Sequence, residues 1–333
     1  MECVRPLAAS LDKTGSITFS SKTAMKGTEI YSFSCGACLP CRLKKAREKA
    51  IRATHEAQTH KDNIFLTLTY NDHHLDNPRL NYEHFQDFIR DLRYKIHAKY
   101  AKENNTTLKN ARQLHPIPYM VTGEYGEQDK RPHWHALLFN YWPEDYKYLK
   151  INKLGDKFYR SEEIEDIWQK GYISFSDVNF KTAGYMARYA AKKLVHGNDG
   201  THDFEPIHKT SSRHAIGRKW IERNYKHTFQ NGYVVIDGKK LSIPRYYKDW
   251  LQKKSIEEPQ KYEELYFYYK FEVQPKIDKQ NEEKARKEEL TYLSQLMNRD
   301  HTKQGKNRAL HPKTIKHRIL KKKFEQLQSN LEL

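Results

Sequence analysis

One short stretch carries the strongest structural signal in this sequence: Arg131-Pro132-His133-Trp134-His135-Ala136-Leu137-Leu138-Phe139. Side chains alternate between the two faces of a β-strand, so the two histidines share one face with Leu137 and Phe139, and Trp134 lies on the other. Both faces are mainly apolar, which is typical of a strand covered on both sides. We therefore expect a central strand of a sheet that ends before Asn140.

The two histidines of this stretch are a candidate metal site. His133 and His135 point the same way from the predicted strand, and their imidazoles are close enough to share one ion. Burying two unpaired imidazoles costs free energy unless something satisfies their nitrogen atoms, and a divalent metal ion does so. The alternative is two histidines that hydrogen-bond to the backbone or to water. With 17 histidines in 333 residues, roughly one His-x-His pair is expected by chance, so the flanking sequence has to distinguish the two.

The charge and composition of the chain indicate the kind of partner it binds. A formal charge of +18 and a pI near 9.4 favour a polyanion, and nucleic acid over a membrane surface. The 23 tyrosines suit stacking on unpaired bases, although ordinary core and surface tyrosines fit as well. The sequence has no run of 18 apolar residues and opens with no apolar stretch, so we expect neither a transmembrane helix nor a signal peptide.

The cysteines form a second candidate metal site. Three of them follow at a spacing of three residues in Cys35-Gly36-Ala37-Cys38-Leu39-Pro40-Cys41-Arg42, and Cys3 lies upstream. Thiolates at this spacing can surround a tetrahedral zinc ion, with Cys3 as the fourth ligand. The alternative is that Cys35, Cys38 and Cys41 are reduced, partly buried thiols without a metal. Four cysteines in a chain of this length are no disulfide framework, which favours the reducing cytoplasm.

The segment before the histidine strand supplies a candidate third ligand for the first site. Residues 117–122 are predicted to form a strand, and Gly123-Glu124-Tyr125-Gly126-Glu127 the turn that follows it. If this strand pairs with the histidine strand as a hairpin, Glu124 lies beside the start of the latter. Its carboxylate could then complete a site of two histidines and one carboxylate. Glu127 is the rival ligand, and a solvated turn is the alternative role for either acid.

A helix further along the chain presents two phenols and a lysine. The stretch from Lys181 to Leu194 places small and apolar residues on one helical face. Tyr185, Tyr189 and Lys192 lie together on a different stripe of the same helix. Two half-buried tyrosines on a surface helix are the alternative, because a Tyr-x-x-x-Tyr pair is expected about once or twice by chance in so tyrosine-rich a chain.

Charges around the tyrosines favour this pair over a second one. The pattern recurs in Tyr262-Glu263-Glu264-Leu265-Tyr266, where the two carboxylates would repel a phosphate. In the first pair, Arg188 and Lys193 accompany the tyrosines and would attract a phosphate. The sequence therefore favours Tyr185 and Tyr189 as the phenols that face a phosphate.

Other local signals set the remaining elements and the organisation of the chain. Residues 63–70 and 172–176 alternate as strands, Asn81 and Ser161 precede helical patterns, and Asp237-Gly238 is typical of a hairpin turn. Residues 1–34, 102–115 and 141–160 are expected to be irregular, and 196–250 to be short strands and turns. We divide the chain into a cysteine knuckle with a basic helix over 1–62, a core over 63–195, a basic region over 196–275 and a charged tail over 276–333.

Taken in order, these motifs resemble one family. The strand at 63–70, then Gly123 to Glu127 and Arg131 to His135, then the tyrosine helix are similar to the two-tyrosine HUH endonucleases, which initiate rolling-circle replication. More narrowly, the chain resembles the replication initiators of gokushovirus-type microviruses, small single-stranded DNA phages that include those of Chlamydia. The further stretches that support this are Cys3-Val4-Arg5-Pro6, Cys35 to Arg42, Ala183 to Lys193, Gly217-Arg218-Lys219-Trp220 and Ile243 to Tyr247.

The resemblance implies a fold and a set of site residues. The implied fold is the α+β HUH-endonuclease fold, a ferredoxin- or RRM-like central antiparallel sheet flanked by helices, here with a cysteine-rich N-terminal segment and a basic helical or disordered tail. By position, His133, His135 and Glu124 would bind a catalytic Mg²⁺ or Mn²⁺ ion. Tyr185 and Tyr189 would be the nucleophiles. The further residues implied at the site are Lys192, which would help to hold the phosphate, and Arg131, Arg188 and Lys193, which would contact DNA.

The resemblance also implies an activity and a setting. The protein would nick single-stranded DNA at the viral replication origin, attach to the 5′ phosphate through tyrosine, leave a 3′-hydroxyl primer and later rejoin the circle. Host helicase and polymerase would be its partners, in the cytoplasm of the bacterial host. The alternatives are a plasmid or mobile-element HUH initiator, relaxase or transposase, and a non-catalytic zinc-knuckle protein that binds DNA.

Overall fold

The chain forms two compact units in the computed structural model. The described residues are 3–75, 79–126, 131–152, 155–180, 182–184, 207–211, 213–297 and 312–329. One unit, called the terminal unit below, comprises Met1–Lys44, Phe229–Gly232 and Gln260–Leu333. The other, called the sheet unit, comprises Lys45–Thr228 and Tyr233–Pro259. The division of the sequence at residues 62, 195 and 275 stays a prediction.

Strands and helices are both abundant in the described chain. The strands are β1 (Leu7–Leu11), β2 (Ile17–Thr18), β3 (Tyr31–Phe33), β4 (Asn63–Thr69), β5 (Tyr119–Tyr125), β6 (Pro132–Phe139), β7 (Lys147–Ile151), β8 (Lys157–Arg160), β9 (Ile173–Asp177), β10 (Ile207–Thr210), β11 (Tyr233–Ile236) and β12 (Lys239–Ser242). The helices are α1 (Leu39–Ala57), α2 (Tyr82–Glu103), α3 (Leu108–Leu114), α4 (Glu162–Trp168), α5 (Arg218–Asn231), α6 (Arg245–Glu257), α7 (Pro259–Tyr268), α8 (Gln274–Met297) and α9 (Pro312–Ser329). The fold is therefore a mixed α+β fold.

A seven-stranded antiparallel sheet forms the centre of the sheet unit. Its strand order is β10-β5-β6-β4-β9-β8-β7, and each neighbouring pair is antiparallel. β6 is hydrogen-bonded to β5 on one side and to β4 on the other. The sequence-based expectation that the histidine strand lies inside a large antiparallel sheet is thus confirmed.

One face of β6 builds the main hydrophobic core. Trp134, Ala136 and Leu138 are fully buried and cluster with apolar residues of α2. The ring of Phe85 in α2 lies 5.7 Å from that of Trp134, and Phe88 is buried one turn further along. Because a buried side chain of this size contributes roughly 1.5–3 kcal/mol, this aromatic cluster holds α2 on the sheet.

The close packing of β5 against this core requires a glycine. Gly123 is the Cα partner of Trp134 in the pairing of β5 with β6. A Cβ atom at position 123 would lie 2.5 Å from the indole ring of Trp134 and 2.9 Å from Leu80. The indole also donates a hydrogen bond of 3.0 Å to the hydroxyl of Tyr70, so it cannot move aside without losing that bond. The glycine therefore keeps this strand pair in place beside the large side chain.

A smaller core in the sheet unit joins α1 to the hairpin of β11 and β12. Ile51 of α1 is buried against apolar residues of both hairpin strands. Asp237 and Gly238 connect the strands with φ values of 48° and 72°. Two successive positive φ values are typical of a type I′ turn, which the Asp-Gly pair predicts.

A buried histidine lies in an aromatic stack beside this smaller core. The ring of His55 is 3.5 Å from that of Trp220 and nearly parallel to it, and its Nδ1 atom lies 2.9 Å from the hydroxyl of Tyr247. Burial lowers the pKa of His55 to about 3, so the imidazole is neutral at pH 7. The stretch Gly217-Arg218-Lys219-Trp220 thus has a packing role, which the N–H of Gly217 reinforces by donating to a carboxylate oxygen of Glu56 at 2.6 Å.

The terminal unit contains a small sheet and the helices near the C-terminus. The order of the small sheet is β2-β1-β3, and both pairs are antiparallel. Gly232 lies against the following helices, since a Cβ there would be 2.6 Å from Ile277 and 2.7 Å from Val273. The ring of Phe229 packs at 5.0 Å from that of Tyr269. Lys316 of α9 forms an ion pair with Glu288 of α8.

Several segments expected to be irregular or strand-rich contain other regular structure. The expectation of irregular chain is wrong for residues 1–34, which contain β1 to β3, for 102–115, which contain α3, and for 141–160, which contain β7 and β8. Residues 196–250 contain the helix α5 and the start of α6 besides short strands. All five residues of β7 are exposed, so that strand lacks the apolar alternation that reveals a half-buried strand. Among the described helices, none has the length and apolar character needed to span a bilayer.

The turn expected after residue 122 is also wrong. β5 continues through Tyr125, and Glu124 lies inside the strand opposite His133. The glycine at position 123 suggested a turn, but here it makes room for an indole ring. A glycine inside a strand often marks such a close approach.

Replacing Gly123 by alanine is expected to destabilise the sheet unit. The added Cβ would overlap the indole of Trp134, and overpacking of this kind costs roughly 1–3 kcal/mol in unfolding free energy. Urea unfolding of the whole protein measures the change. The matched control is Gly184→Ala, where an added Cβ meets nothing within 4 Å and the higher helix propensity of alanine is worth up to about 1 kcal/mol of stabilisation. Equal effects at the two positions would contradict the packing argument.

His55 is expected to make the fold sensitive to acid. Its pKa is about 3 in the folded protein against an ordinary value of 6.5, so between these values the unfolded chain binds a proton that the folded chain does not. Stability is therefore complete above about pH 6.5 and falls with decreasing pH by up to about 1.4 kcal/mol per pH unit. His55→Gln should flatten the slope of unfolding free energy against pH between about pH 6 and 4, whereas His73→Gln, at an exposed position, should not. An unchanged slope in His55→Gln would show that this imidazole does not titrate as expected.

Candidate functional site

The pairing of β5 with β6 brings three predicted site residues together. Glu124 is the Cα partner of His133, and Thr122 is the partner of His135. Since directly paired residues share a face of the sheet, Glu124, His133 and His135 point to the same side. One ligand atom from each of these three lies within 4.8 Å of the others. The arrangement of two histidines and one carboxylate that the sequence suggested is present in the structure.

One carboxylate oxygen of Glu124 contacts both imidazoles. Its Oε1 atom lies 2.9 Å from Nε2 of His133 and 2.7 Å from Nε2 of His135. Glu124 and His135 are buried, and His133 is half-buried. Burial alone would raise the pKa of Glu124, but the nearby imidazoles, His135 foremost, outweigh it and lower that pKa to about 2. The carboxylate is therefore ionised at neutral pH.

The other ring nitrogens are held by groups outside the triad. Nδ1 of His133 lies 3.1 Å from the carbonyl oxygen of Arg131, which accepts only from an N–H. Nδ1 of His135 lies 2.9 Å from the hydroxyl of Thr67. Neutral His133 thus carries its proton on Nδ1, and the lone pair on Nε2 faces the carboxylate of Glu124. Two electron-rich atoms repel each other at this distance unless a proton or a metal ion lies between them.

The donor set of the triad fits a divalent metal ion. Two imidazole nitrogens and one carboxylate form a recurrent set of protein ligands for such ions. Histidines that bind a metal usually donate their other N–H to a carbonyl or similar acceptor, and Arg131 and Thr67 supply such groups here. A metal ion would also remove the repulsion between Nε2 of His133 and the carboxylate. Glu124, His133 and His135 are therefore the residues that would hold it.

The surroundings make one side of the triad apolar and leave the other accessible. The ring of Phe65 in β4 stacks on that of His135 with centroids 5.4 Å apart, and Phe65 is buried. The side chain of His133 is 18% exposed against 5% for His135. A ligand would therefore approach from the side of His133.

Arg131 holds the beginning of β6 against the end of β4. Its guanidinium donates to the carbonyl oxygen of Tyr70 at 2.9 Å and to a carboxylate oxygen of Asp72 at 2.6 Å. Its own carbonyl oxygen accepts from His133, so the residue orients one member of the triad. Its side chain is 31% exposed. The contact with DNA that the sequence suggests for Arg131 stays a prediction.

The predicted nucleophiles and the rival acid lie outside the described residues. These are Tyr185, Arg188, Tyr189, Lys192, Lys193 and Glu127. Just before the tyrosines, Asn179 and Thr182 cap each other: the N–H of Thr182 donates to Oδ1 of Asn179 at 2.9 Å, and the N–H of Asn179 to the hydroxyl of Thr182 at 2.8 Å. Such a reciprocal pattern typically begins a helix, and Ala183 after it is fully buried.

A second group of metal-ligating side chains lies in the terminal unit. The sulfur atoms of Cys3, Cys35, Cys38 and Cys41 are all within 4.8 Å of one another, and these cysteines form no disulfide. Hydrogen bonds from the backbone N–H groups of Cys38 and Ala37 lower the pKa of Cys35 to about 6. Burial raises the pKa of Cys41 to about 12. The structure thus brings together all four cysteines that the sequence singled out.

Comparison with known proteins gives this arrangement a family. A family model described as a replication-associated protein of the ORF2 type matches residues 63–194, a segment that includes the triad and the predicted tyrosines. The chain is 46% identical to replication-associated protein VP4 of Bdellovibrio phage phiMH2K over the full length of both proteins. The chain belongs to the family of phage replication-associated proteins.

More distant relatives agree with this membership. Replication-associated protein ORF4 of Chlamydia phage 1 is 29% identical over 230 residues, which cover 67% of this chain and 54% of that protein. Replication-associated protein ORF2 of Spiroplasma virus 4 is 28% identical over 271 residues, which cover 74% and 79% of the two chains. The resemblance of the motifs to the replication initiators of microviruses is thereby confirmed. No solved structure matches the chain significantly.

Two groups that orient the triad were missed by the sequence analysis. They are the hydroxyl of Thr67 and the carbonyl oxygen of Arg131. Thr67 is the Cα partner of His135 across β4 and β6, in strands 68 residues apart along the chain. Alternation predicts the face of Thr67 but not its partner. A polar residue in the middle of an otherwise apolar strand was the signal that could have found it.

Removing a ligand of the triad is expected to weaken the binding of divalent metal ions. His135→Ala and Glu124→Gln each remove one of three donors, and Thr67→Val removes the group that orients His135. Loss of an orienting group typically costs about 10–100-fold in metal affinity, and loss of a ligand at least as much. Titration of the protein with Mn²⁺, followed by the electron paramagnetic resonance of the free ion, measures each affinity.

The control for this titration is a histidine outside the triad. His73 is exposed, so His73→Ala should bind Mn²⁺ as the unmodified protein does. Unchanged affinity in both His135→Ala and Glu124→Gln would show that the triad is not a metal centre.

Proposed function

We propose that this protein is a metal-dependent endonuclease and strand transferase that nicks single-stranded DNA at the replication origin of its phage. The observation that most supports this is the buried triad of Glu124, His133 and His135, whose donors fit a divalent ion. Family membership supports a role in replication. The two tyrosines that follow in the same matched segment, Tyr185 and Tyr189, supply nucleophiles one helical turn apart.

The HUH-endonuclease fold is the architecture we propose for the sheet unit. Support comes from the position of β6, which lies inside an antiparallel sheet with both histidines on one face. Further support comes from the hydrophobic core on the opposite face, where α2 packs. The strands β5, β6, β4 and β9 would correspond to the ferredoxin- or RRM-like centre of that fold.

The triad prepares a site for a phosphodiester. A bound divalent ion such as Mg²⁺ or Mn²⁺ would polarise the phosphate and stabilise the charge that develops on it. Glu124 neutralises one of the two charges of such an ion, so a positive charge is left facing the DNA. Arg131 and Thr67 keep both imidazoles in the orientation that binding needs. Phe65 excludes water from the side of His135.

A tyrosine phenol is the nucleophile in the proposed cleavage. The phenolic oxygen of Tyr185 or Tyr189 attacks the phosphorus atom and loses its proton to solvent, and the bond from phosphorus to the 3′ oxygen breaks. The 3′ oxygen takes up a proton and becomes the hydroxyl that primes synthesis, while the 5′ phosphate stays on the tyrosine as a diester. Attack by a 3′-hydroxyl on this diester reverses the step and restores the phenol. Lys192 would hold the phosphate.

Two tyrosines and a strongly basic chain suit rolling-circle replication. The second phenol allows a new strand to be cut while the first DNA end is still attached, which the release of closed circles requires. The net charge of +18 provides affinity for the DNA backbone, and Arg131, Arg188 and Lys193 are the cations proposed to contact it near the site. Host helicase and polymerase would extend the 3′ end in the cytoplasm of the bacterial host.

Removing both nucleophiles is expected to abolish covalent attachment to DNA. With single-stranded origin DNA and Mg²⁺ or Mn²⁺, the unmodified protein should form an adduct that resists denaturation. Each single variant, Tyr185→Phe or Tyr189→Phe, should retain some adduct through the remaining phenol but release no closed circles. The double variant should form none, and His133→Ala should slow formation by about a hundredfold or more because polarisation by the metal is worth several kcal/mol. Denaturing gel electrophoresis with labelled DNA measures the adduct.

The second tyrosine pair provides the control. Tyr262 is buried and Glu263 and Glu264 follow it, so Tyr262→Phe should leave the adduct unchanged. Mass spectrometry that maps the attached nucleotide to Tyr262 or Tyr266 would contradict the assignment. Tight, salt-sensitive DNA binding by the unmodified protein without any adduct would instead favour the non-catalytic zinc-knuckle alternative.

A further inference from the structure

We propose that Cys3, Cys35, Cys38 and Cys41 bind one zinc ion, and that this ion folds the N-terminal segment of the chain. The site lies in the terminal unit and uses none of the residues of the Glu124 triad. Its role is structural, because four protein ligands leave no open position for a substrate.

The distances between the sulfur atoms match a single tetrahedral ion. Four sulfurs bound to zinc at about 2.3 Å lie about 3.8 Å from one another, and the sulfur atoms of Cys3 and Cys38 are 3.8 Å apart. All four lie within 4.8 Å of one another. A disulfide needs a sulfur–sulfur distance of about 2.05 Å, and an iron–sulfur cluster spreads its cysteines around several iron atoms.

The segment that these cysteines hold has almost no hydrophobic core of its own. Among residues 3–38, all of which the structure describes, Ala9 alone is buried. Large apolar side chains in this segment, such as Phe19 and Ile30, are 60% and 75% exposed. The strands β1 to β3 therefore bury too little apolar surface to offset the conformational entropy that their order costs. A bound metal ion is a common substitute for a core in so small a segment.

The backbone around the cysteines is arranged to stabilise thiolates. The N–H of Cys35 donates to the sulfur of Cys3, and the N–H of Cys38 to the sulfur of Cys35, both at 3.3 Å. Gly36 turns the chain between these residues with a φ of 72°. Cys41 lies in the first turn of α1, where the helix dipole favours negative charge. Hydrogen bonds from the protein to the ligand atoms are a usual feature of metal sites.

Metal analysis of the whole protein tests this proposal. Protein purified without chelators should contain about one zinc ion per chain, with four sulfur neighbours at about 2.3 Å in X-ray absorption at the zinc edge. Cys3→Ser and Cys38→Ser should each lower the zinc content about tenfold or more, because binding and local folding are coupled. The same variants should be cleaved faster by protease within residues 3–38. His135→Ala, which alters the other metal centre, should keep its zinc.

Several results would overturn the zinc site. They are a zinc-free protein whose N-terminal segment resists protease, iron in place of zinc, and nitrogen or oxygen neighbours in the absorption spectrum. Loss of zinc in His135→Ala with retention in Cys38→Ser would place the ion in the triad instead. If the cysteine variants do not fold, the absorption spectrum of the unmodified protein still gives the ligand atoms directly.

Discussion

The antiparallel pairing of β5 with β6 is the constraint on which the rest of the structure depends. It sets Glu124 opposite His133 and Gly123 opposite Trp134, and these neighbouring pairs point to opposite faces of the sheet. The first pair, with His135, forms the polar triad. The second needs a glycine so that the indole ring fits. The same two strands therefore build the hydrophobic core and the candidate metal centre back to back.

How much of the fold the sequence predicts depends on whether the signal is local. The caps at Asn81 and Ser161, the turn at Asp237-Gly238 and the alternation in β4 and β6 are local signals, and the structure contains the elements they predict. β7 has no such signal because it is exposed along its whole length. The bond between Thr67 and His135 depends on the register of strands far apart in the chain. No pattern within one strand encodes that register.

The candidate site was predictable in part for the same reason. Glu124 and His133 are nine residues apart, and a hairpin joins such neighbours without help from the rest of the chain. The cysteines likewise lie close in sequence except for Cys3, which follows the small sheet back to the knuckle. The roles of Tyr185 and Tyr189 rest on sequence and family resemblance.

The two-sided use of β6 has a consequence for how such a protein can evolve. Strand faces alternate with a period of two residues, so the insertion or deletion of a single residue between His133 and Phe139 would exchange the faces for every side chain beyond it. An indole would then meet the metal ligands, and an imidazole would enter the core. Lineages of this protein can therefore change the residue types of this strand more freely than its length.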